Sequence, residues 1–259
     1  MTDRRVLLRR FRRASILAIL VVFGGGALYF RYAFAPAGYP LSLLESDARV
    51  RVENTADALT FLPAASDPDA AGLIFYAGCP VPAESYAPFG RAIAERGHPV
   101  FIVHIPYLCA TQEAQQQELF DRTRRLMASS PRPWVLAGHS RGGALASRFT
   151  AEQPDRVAGL LLEGTTHPRE VSLASLRIPV VKVIATHDGV APADRSLALA
   201  GLLPPATRWI TIQGGNHAQF GYYHFQLWDG WASIPREEQQ RQLVAAAVEL
   251  LEYCSRTAS

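Results

Sequence analysis

The stretch "WVLAGHSRGGALASRFTAEQP", Trp134 to Pro154, passes from strand-forming residues into a helical pattern through Gly138, Ser140 and Gly142. Glycine two positions to either side of a serine fits a sharp strand-to-helix turn, because larger side chains there would clash across it. Such a turn holds the serine exposed on strained backbone. Glycine is common, at about 7% of residues, so the three-position match alone is weak and the flanking strand and helix patterns carry the prediction.

Short apolar runs and helical segments alternate on both sides of this turn. The runs cover residues 72–78, 99–106, 134–140, 157–166, 179–188 and 208–217, and they lack the polar alternation of a half-exposed strand. Helical period marks Glu84–Arg96, Ala114–Ser129, Arg141–Gln153, Ala193–Leu203 and Arg236–Tyr253, and residues 50–61 read as an opening hairpin. The alternation predicts an α/β fold, a doubly wound and mostly parallel sheet with its ligand site at the carboxyl ends of the strands.

The positive charge is concentrated at the amino terminus. The formal net charge is +3, but residues 1–13 hold six arginines against Asp3, and Arg31 adds a seventh. The remaining chain has 19 basic and 22 acidic residues, a net charge of −3. A nucleic-acid-binding domain is normally basic along one face, so we expect no nucleic-acid partner.

The arginine cluster is followed by Ala14–Phe30, 17 residues without a charge. That length just suffices to span a bilayer, and the arginines favour a cytoplasmic amino terminus. We therefore predict that residues 1–35 form a basic segment with a single transmembrane anchor and that 36–259 form an extracytoplasmic domain. The alternative is a signal peptide cleaved after Ala33-Phe34-Ala35, giving a secreted or periplasmic protein, although Arg31 and Pro36 disfavour cleavage.

A serine hydroxyl becomes a strong nucleophile only beside a base that is oriented by a carboxylate. Asp188 and His217 follow two later apolar runs, so a parallel sheet would bring both to the edge that carries Ser140. We predict Ser140 as nucleophile, His217 as base and Asp188 as the orienting acid. Glu163 is the rival acid, whereas His139, fixed beside the serine, reads as structural.

An oxyanion needs preorganised N–H donors. We expect them from the backbone of Arg141, at the start of the following helix, and of Cys79, with Gly78 as the second choice, because Pro80 has no N–H. The aromatic residues after His217, with Phe220, Tyr222 and Tyr223 first among them, would line a substrate pocket, contact lipid near the anchor, or pack in the core. The sequence shows no phosphate loop, dinucleotide fingerprint or metal-ligand spacing, so no cofactor or metal is expected.

Several segments resemble the alpha/beta-hydrolase superfamily over about residues 72–254. They are "LIFYAGCPVPAESYAPFGRAIAERGHPVFIVHIP", "GHSRGG", "GGNHAQFGYY" and "DGWASIPREEQ", and they are most similar to a bacterial branch with a GHSxGG elbow and a GGNHAQFG histidine motif. The resemblance implies the alpha/beta-hydrolase fold and the same roles for Ser140, Asp188 and His217. It implies no particular substrate.

The fold implied by this resemblance leads to two further expectations. The dozen residues between Thr166 and Pro179 are too few for a large cap domain, so the site should be open. The usual strand order places Cys79 and Cys109 after neighbouring strands. They would form a disulfide in an extracytoplasmic domain, although two separate buried thiols are an equal alternative.

These observations together predict a serine hydrolase that cleaves a carboxylic ester, thioester or lactone through an acyl-enzyme on Ser140. Its partners would be a small ester-type substrate and the membrane, through the amino-terminal helix. Two alternatives stay open at this stage: a non-catalytic alpha/beta-hydrolase-like binding domain, and an acyltransferase or peptidase that uses the same triad.

Overall fold

The structure, a computed structural model, describes residues 4–65 and 67–258 and is built around one eight-stranded sheet. The spatial order is β1-β2-β4-β3-β5-β6-β7-β8. The pairs β1–β2 and β2–β4 are antiparallel, and every other pair is parallel. The strands are β1 (Val50–Asn54), β2 (Ala58–Pro63), β3 (Gly72–Tyr76), β4 (Val100–Val103), β5 (Trp134–His139), β6 (Gly159–Glu163), β7 (Val180–Ala185) and β8 (Arg208–Ile212).

The central strands are buried along their whole length, as their continuous apolar sequences require. Every residue of β3, β5, β6 and β7 is buried. In the parallel register Gly138 of β5 lies between Tyr76 of β3 and Leu162 of β6. The carboxyl ends of these strands therefore meet at one edge of the sheet, where Ser140 follows β5.

Helices cover both faces of the sheet. On one face α2 packs against α6, and on the other Phe120 of α3 meets Phe149 of α4 with ring centroids 5.3 Å apart. These layers exclude water from the sheet and explain why its strands lack polar alternation. The helices are α1 (Arg4–Ala33), α2 (Ala87–Ala94), α3 (Glu113–Ala128), α4 (Arg141–Glu152), α5 (Ala193–Leu197) and α6 (Arg236–Ala258).

Two predicted helices differ from the structure. The segment predicted as Glu84–Arg96 begins with a 3-10 turn, Ala83–Tyr86, and its α-helix starts only at Ala87, because Pro88 suits the first turn of a helix. The predicted helix Ala193–Leu203 is only the five residues of α5 followed by a 3-10 turn. There the chain bends so that Leu202 O accepts a hydrogen bond from Leu173 N at 2.8 Å.

Residues 164–179, which connect β6 to β7, contain neither helix nor strand. The expectation that the fold lacks a large cap domain is therefore confirmed at this position. The hairpin β1–β2 and the pairing of β3 with β4 also follow the sequence prediction.

The amino-terminal helix projects from the fold but is fastened to it at its end. Within the described residues Leu8–Ala33 is long and apolar enough to cross a membrane, with a mean hydropathy of 1.8 and its most apolar stretch left uncovered by the domain. At the carboxyl end of α1 the Tyr29 hydroxyl accepts a hydrogen bond from Leu227 N at 2.9 Å. Tyr32 stacks on His224 with centroids 4.1 Å apart.

Candidate active site

Ser140 lies in a strained turn between β5 and α4. Its backbone is at φ 53° and ψ −119°, a region that L residues rarely occupy. A Cβ on Gly138 would lie 2.4 Å from the Gly142 carbonyl carbon, and one on Gly142 would lie 2.1 Å from Tyr76 O. The two glycines are thus required by close backbone contacts, as the sequence pattern predicted.

Asp188 and His217 form a buried hydrogen-bonded pair. His217 Nδ1 lies 2.9 Å from Asp188 Oδ2, and the two residues are 1% and 4% exposed respectively. Asp188 Oδ1 also accepts hydrogen bonds from the backbone N–H groups of Val190 and Ala191, at 2.9 and 2.6 Å. The carboxylate is therefore fixed on both oxygens. A proton on Nδ1 leaves Nε2 as the basic nitrogen of the ring.

Ser140 and His217 lie at the same edge of the sheet but are not hydrogen-bonded. His139, the residue before the serine, has its ring centroid 4.5 Å from that of His217. Within the described part of the chain Ser140 Oγ makes no hydrogen bond to the His217 ring. In enzymes without substrate this bond is often long and tightens only in the reacting complex.

Asp229 is a carboxylate that the sequence analysis missed. Its side chain accepts backbone hydrogen bonds from His217 at 3.0 Å, Ala218 at 2.8 Å, Gly230 at 2.9 Å and Gly189 at 3.2 Å. It thus joins the loop of the proposed base to the loop of the proposed acid. The two loops also pack closely at Gly189, where a Cβ would lie 2.2 Å from Trp228 O. In the sequence, the motif Asp229-Gly230-Trp231 was the signal that could have pointed to this carboxylate.

His139 is buried and takes part in a different hydrogen-bond network. The Tyr86 hydroxyl lies 2.8 Å from His139 Nδ1 and accepts a hydrogen bond from Gly78 N at 2.9 Å. The other ring nitrogen, Nε2, is buried and has no hydrogen-bond partner among the described residues, and burial holds the pKa of His139 well below its usual value. His139 therefore stays neutral and fixes the loop after β3, in keeping with its predicted structural role.

The two backbone groups predicted for the oxyanion hole are available. Among the described residues, the N–H groups of Cys79 and Arg141 donate no hydrogen bond, whereas that of Gly78 is occupied by Tyr86. A disulfide joins Cys79 to Cys109, with Cα atoms 4.8 Å apart. It links the loop after β3 to the loop after β4, and so restrains the Cys79 amide.

Among the described residues the His217 ring is hydrogen-bonded to Asp188, and no hydrogen bond joins it to Glu163, the rival acid. Glu163 ends β6 beside His139 and is 1% exposed, and in the part of the chain that the structure describes its Oε1 has no hydrogen-bond partner. Burial raises its pKa to about 8. In this structure the carboxylate that is hydrogen-bonded to the histidine ring is that of Asp188.

The three residues considered for a substrate pocket are all buried. Phe220 stacks on His139 with centroids 5.2 Å apart, so it packs behind the candidate site. Tyr222 and Tyr223 instead contact the segment that follows α1: Tyr222 O accepts a hydrogen bond from Ala37 N, and Tyr223 packs against Phe34. Both tyrosines are packed in the folded domain, and their role in lining a substrate pocket stays a prediction.

Two other features bear on where ligands could bind. No group of three or more His, Cys, Asp or Glu side chains in residues 4–65 and 67–258 could hold a metal ion. A cleft of about 610 Å³ lies beside Pro68, Pro131 and Arg132, which precede β3 and β5. It is therefore at the amino edge of the sheet, away from Ser140.

Residues 72–241, well over half of the chain, match the model of the Alpha/beta hydrolase family. The chain belongs to the alpha/beta hydrolase family. This alpha/beta hydrolase has an eight-stranded sheet. The prediction of a doubly wound, mostly parallel sheet is confirmed. A search of curated proteins found no relative of the sequence. The resemblance to one bacterial branch therefore stays a prediction.

Solved structures that resemble this alpha/beta hydrolase share its fold at low identity. Carboxylesterase CesB from Bacillus subtilis is 14% identical, with a TM-score of 0.54 over 79% of this chain and 93% of that chain. The monoacylglycerol lipase of Paleococcus ferrophilus is 14% identical, with a TM-score of 0.55 over 71% and 96%. An alpha-beta serine hydrolase homologue from Coxiella burnetii is 14% identical, with a TM-score of 0.57 over 79% and 98%.

Proposed function

We propose that this protein is a serine hydrolase that cleaves a carboxylic ester, or a related thioester or lactone, through an acyl-enzyme on Ser140. The observation that carries the proposal is the strained Ser140 at the same sheet edge as the buried Asp188–His217 pair. Similarity to a carboxylesterase and a monoacylglycerol lipase in fold is consistent with this chemistry. Many hydrolases with different substrates share this fold, so the fold alone does not identify the reaction. The residues of the site support the proposal.

In the first step His217 Nε2 takes the proton of Ser140 Oγ while Oγ bonds to the ester carbonyl carbon. Asp188 holds the ring in place and stabilises the imidazolium that forms. The backbone N–H groups of Cys79 and Arg141 stabilise the negative carbonyl oxygen, and the amino terminus of α4 adds a favourable dipole. The C–O bond of the ester then breaks, and His217 returns its proton to the leaving alcohol.

In the second step a water molecule attacks the acyl carbon on Ser140. His217 removes a proton from this water as the new C–O bond forms, and returns it to Ser140 Oγ as the Ser140 Oγ–acyl bond breaks. The products are a carboxylic acid and the free serine. An alcohol that replaced water at this step would make the same site an acyltransferase.

We further propose that α1 is an uncleaved membrane anchor and that residues 36–259 form the extracytoplasmic hydrolase domain. Cleavage after Ala35 would remove Tyr29 and Tyr32, which contact the folded domain. The Cys79–Cys109 disulfide fits an oxidising compartment. Cleavage would instead leave a secreted or periplasmic enzyme, and the mass of the mature chain separates the two forms.

Labelling of the full-length protein with a fluorophosphonate probe tests the enzymatic proposal. We expect wild type to be labelled and to hydrolyse short p-nitrophenyl esters faster than aminoacyl amides. Ser140→Ala should abolish both signals. Ser147→Ala is the matched control and should keep them. Ser147 is a buried serine in α4, the helix that follows Ser140, and its hydroxyl donates to Gly143 O.

A folded wild-type protein that does not label would overturn the enzymatic proposal and favour a non-catalytic binding domain. Circular dichroism on each variant excludes misfolding as the cause of any loss. Faster cleavage of aminoacyl amides than of esters would instead identify a peptidase.

A further inference from the structure

The segment from His224 to Trp231, here called the aromatic segment, exposes large apolar side chains. Trp228 is 86% exposed, Trp231 80%, Leu227 52% and Phe225 37%. Trp231 stacks on Phe225 with centroids 4.7 Å apart, so the two rings form one surface. Trp228 also lies at φ 71°, a strained conformation for a bulky residue. The contacts that these side chains make within the described residues leave them largely exposed to water.

The aromatic segment is attached to the end of the candidate membrane span. Leu227 N donates to the Tyr29 hydroxyl, and the His224 ring stacks on Tyr32. Both tyrosines lie in the last five residues of α1, at the carboxyl end of the candidate span Leu8–Ala33. If α1 crosses a bilayer, its carboxyl end and the aromatic segment lie at the level of the headgroups. Tryptophan is enriched at that depth because its ring is apolar and its N–H is polar.

The aromatic segment is also attached to the candidate active site. Asp229, between the exposed tryptophans, accepts hydrogen bonds from the backbone of His217 and of Gly189. A Cβ on Gly230 would lie 2.1 Å from His187 O, so the segment is packed tightly against the loop of Asp188. The aromatic segment is therefore packed as one unit with the loops of the proposed acid and base.

We propose that the aromatic segment lies on the surface of the bilayer that α1 spans and that the site takes its ester from that surface, as an acylated lipid. This inference rests on the proposed hydrolase function and names its substrate class. A lipid ester at the headgroup level lies at the same depth as the loops that carry Asp188 and His217. The reaction is the two-step hydrolysis already described. The acyl group of the lipid passes to Ser140 and then to water, and the lipid alcohol is released in the first step.

The test uses the full-length protein in phosphatidylcholine nanodiscs and compares wild type with the double variant Trp228→Asn, Trp231→Ser. Asparagine is chosen because it tolerates the positive φ at position 228. Tyr253→Ser is the matched control, since Tyr253 is 48% exposed but lies near Val180, at the amino edge of the sheet.

The first measurement is quenching of tryptophan fluorescence by lipids brominated near the headgroup. We expect wild type and Tyr253→Ser to be quenched and the double variant to lose most of that quenching. Trp134 is buried, and Trp209 is half-buried in β8, so both contribute little. Equal quenching in wild type and in the double variant, or none in either, would overturn the membrane contact.

The second measurement is the ratio of hydrolysis of a monoacyl lipid in the disc to that of soluble p-nitrophenyl acetate. We expect the double variant to lower this ratio about tenfold, from the loss of buried apolar area, and Tyr253→Ser to leave it unchanged. A ratio that the double variant does not change, in a protein that still labels with fluorophosphonate, would overturn the lipid substrate. Failure of wild type to label at all is a failure of the proposed hydrolase function instead.

Discussion

Two buried aspartates hold the loop that carries His217, and they hold different parts of it. Asp188 bonds to the ring of the histidine, whereas Asp229 bonds to the backbone of His217 and of Ala218. The ring bond sets the proton on Nδ1. The backbone bonds set where the ring stands relative to Ser140. We therefore treat Asp229 as a positioning residue.

Asp229→Asn should lower kcat for a soluble ester about 10–100-fold and leave KM nearly unchanged. An amide can accept from only one side, so at least one backbone N–H loses its partner and His217 shifts, and small misplacements of a catalytic group are costly. Steady-state kinetics on p-nitrophenyl esters give both constants. Asp194→Asn, an exposed aspartate in α5, is the control, and an unchanged kcat in Asp229→Asn would contradict the positioning role.

Glu163 makes stability depend on pH in a defined direction. Burial raises the pKa of this carboxyl to about 8, above its usual value of 4.5. Between pH 4.5 and about pH 8, Glu163 therefore keeps a proton in the folded protein that it has released in the unfolded chain. The free energy of unfolding therefore falls as pH rises through that window, and the loss is complete above pH 8.

Glu163→Gln should remove this dependence. At pH 5 the variant and wild type should have similar stability, and at pH 9 the variant should be more stable by roughly 3–5 kcal/mol. Urea unfolding at both pH values measures the difference, with the exposed Glu170→Gln as control. A stability difference that does not change with pH would show that Glu163 is ionised in the folded protein.

At the scale of elements, the turn between β5 and α4 depends on Gly142. The chain crosses so close to Tyr76 O that no side chain fits without moving β3 or α4. Gly142→Ala should therefore destabilise the fold by about 3 kcal/mol and abolish fluorophosphonate labelling. Gly201→Ala, with open space around its Cβ and an ordinary φ, should change neither property. Thermal unfolding and labelling check both, and a stable, labelled Gly142→Ala would refute the steric account.

The elements that the sequence predicts well are those whose pattern is set by burial on both faces. The continuous apolar runs gave β3 to β8, although each predicted run extended past the strand into the loop. The same runs located Ser140, Asp188 and His217, because a parallel sheet brings successive carboxyl ends to one edge. Asp229 was missed because its partners are backbone N–H groups, three of them on other loops, and any residue except proline can supply a backbone N–H. The bend after α5 likewise depends on Leu173, a tertiary contact.

For the whole molecule, the proposed membrane anchor α1 is docked on the domain, so its topology determines on which side of the membrane the domain lies. The arginines in the first ten residues of α1 favour a cytoplasmic amino terminus, so the chain after α1 should lie outside. Alkaline phosphatase, which is active only after export, should therefore work when fused after α6 and fail when fused before α1. β-Galactosidase fusions at the same positions should show the reverse pattern. Export of an amino-terminal fusion would mean that the domain faces the cytoplasm.

The Cys79–Cys109 bond has a consequence for preparing the enzyme. Protein made in a reducing cytosol carries a free thiol at Cys79, next to the amide that is proposed to stabilise the oxyanion. Alkylating reagents would then block turnover without touching Ser140. Such inhibition could be mistaken for a cysteine nucleophile, and material matured through an oxidising secretory route should be insensitive to the same reagents.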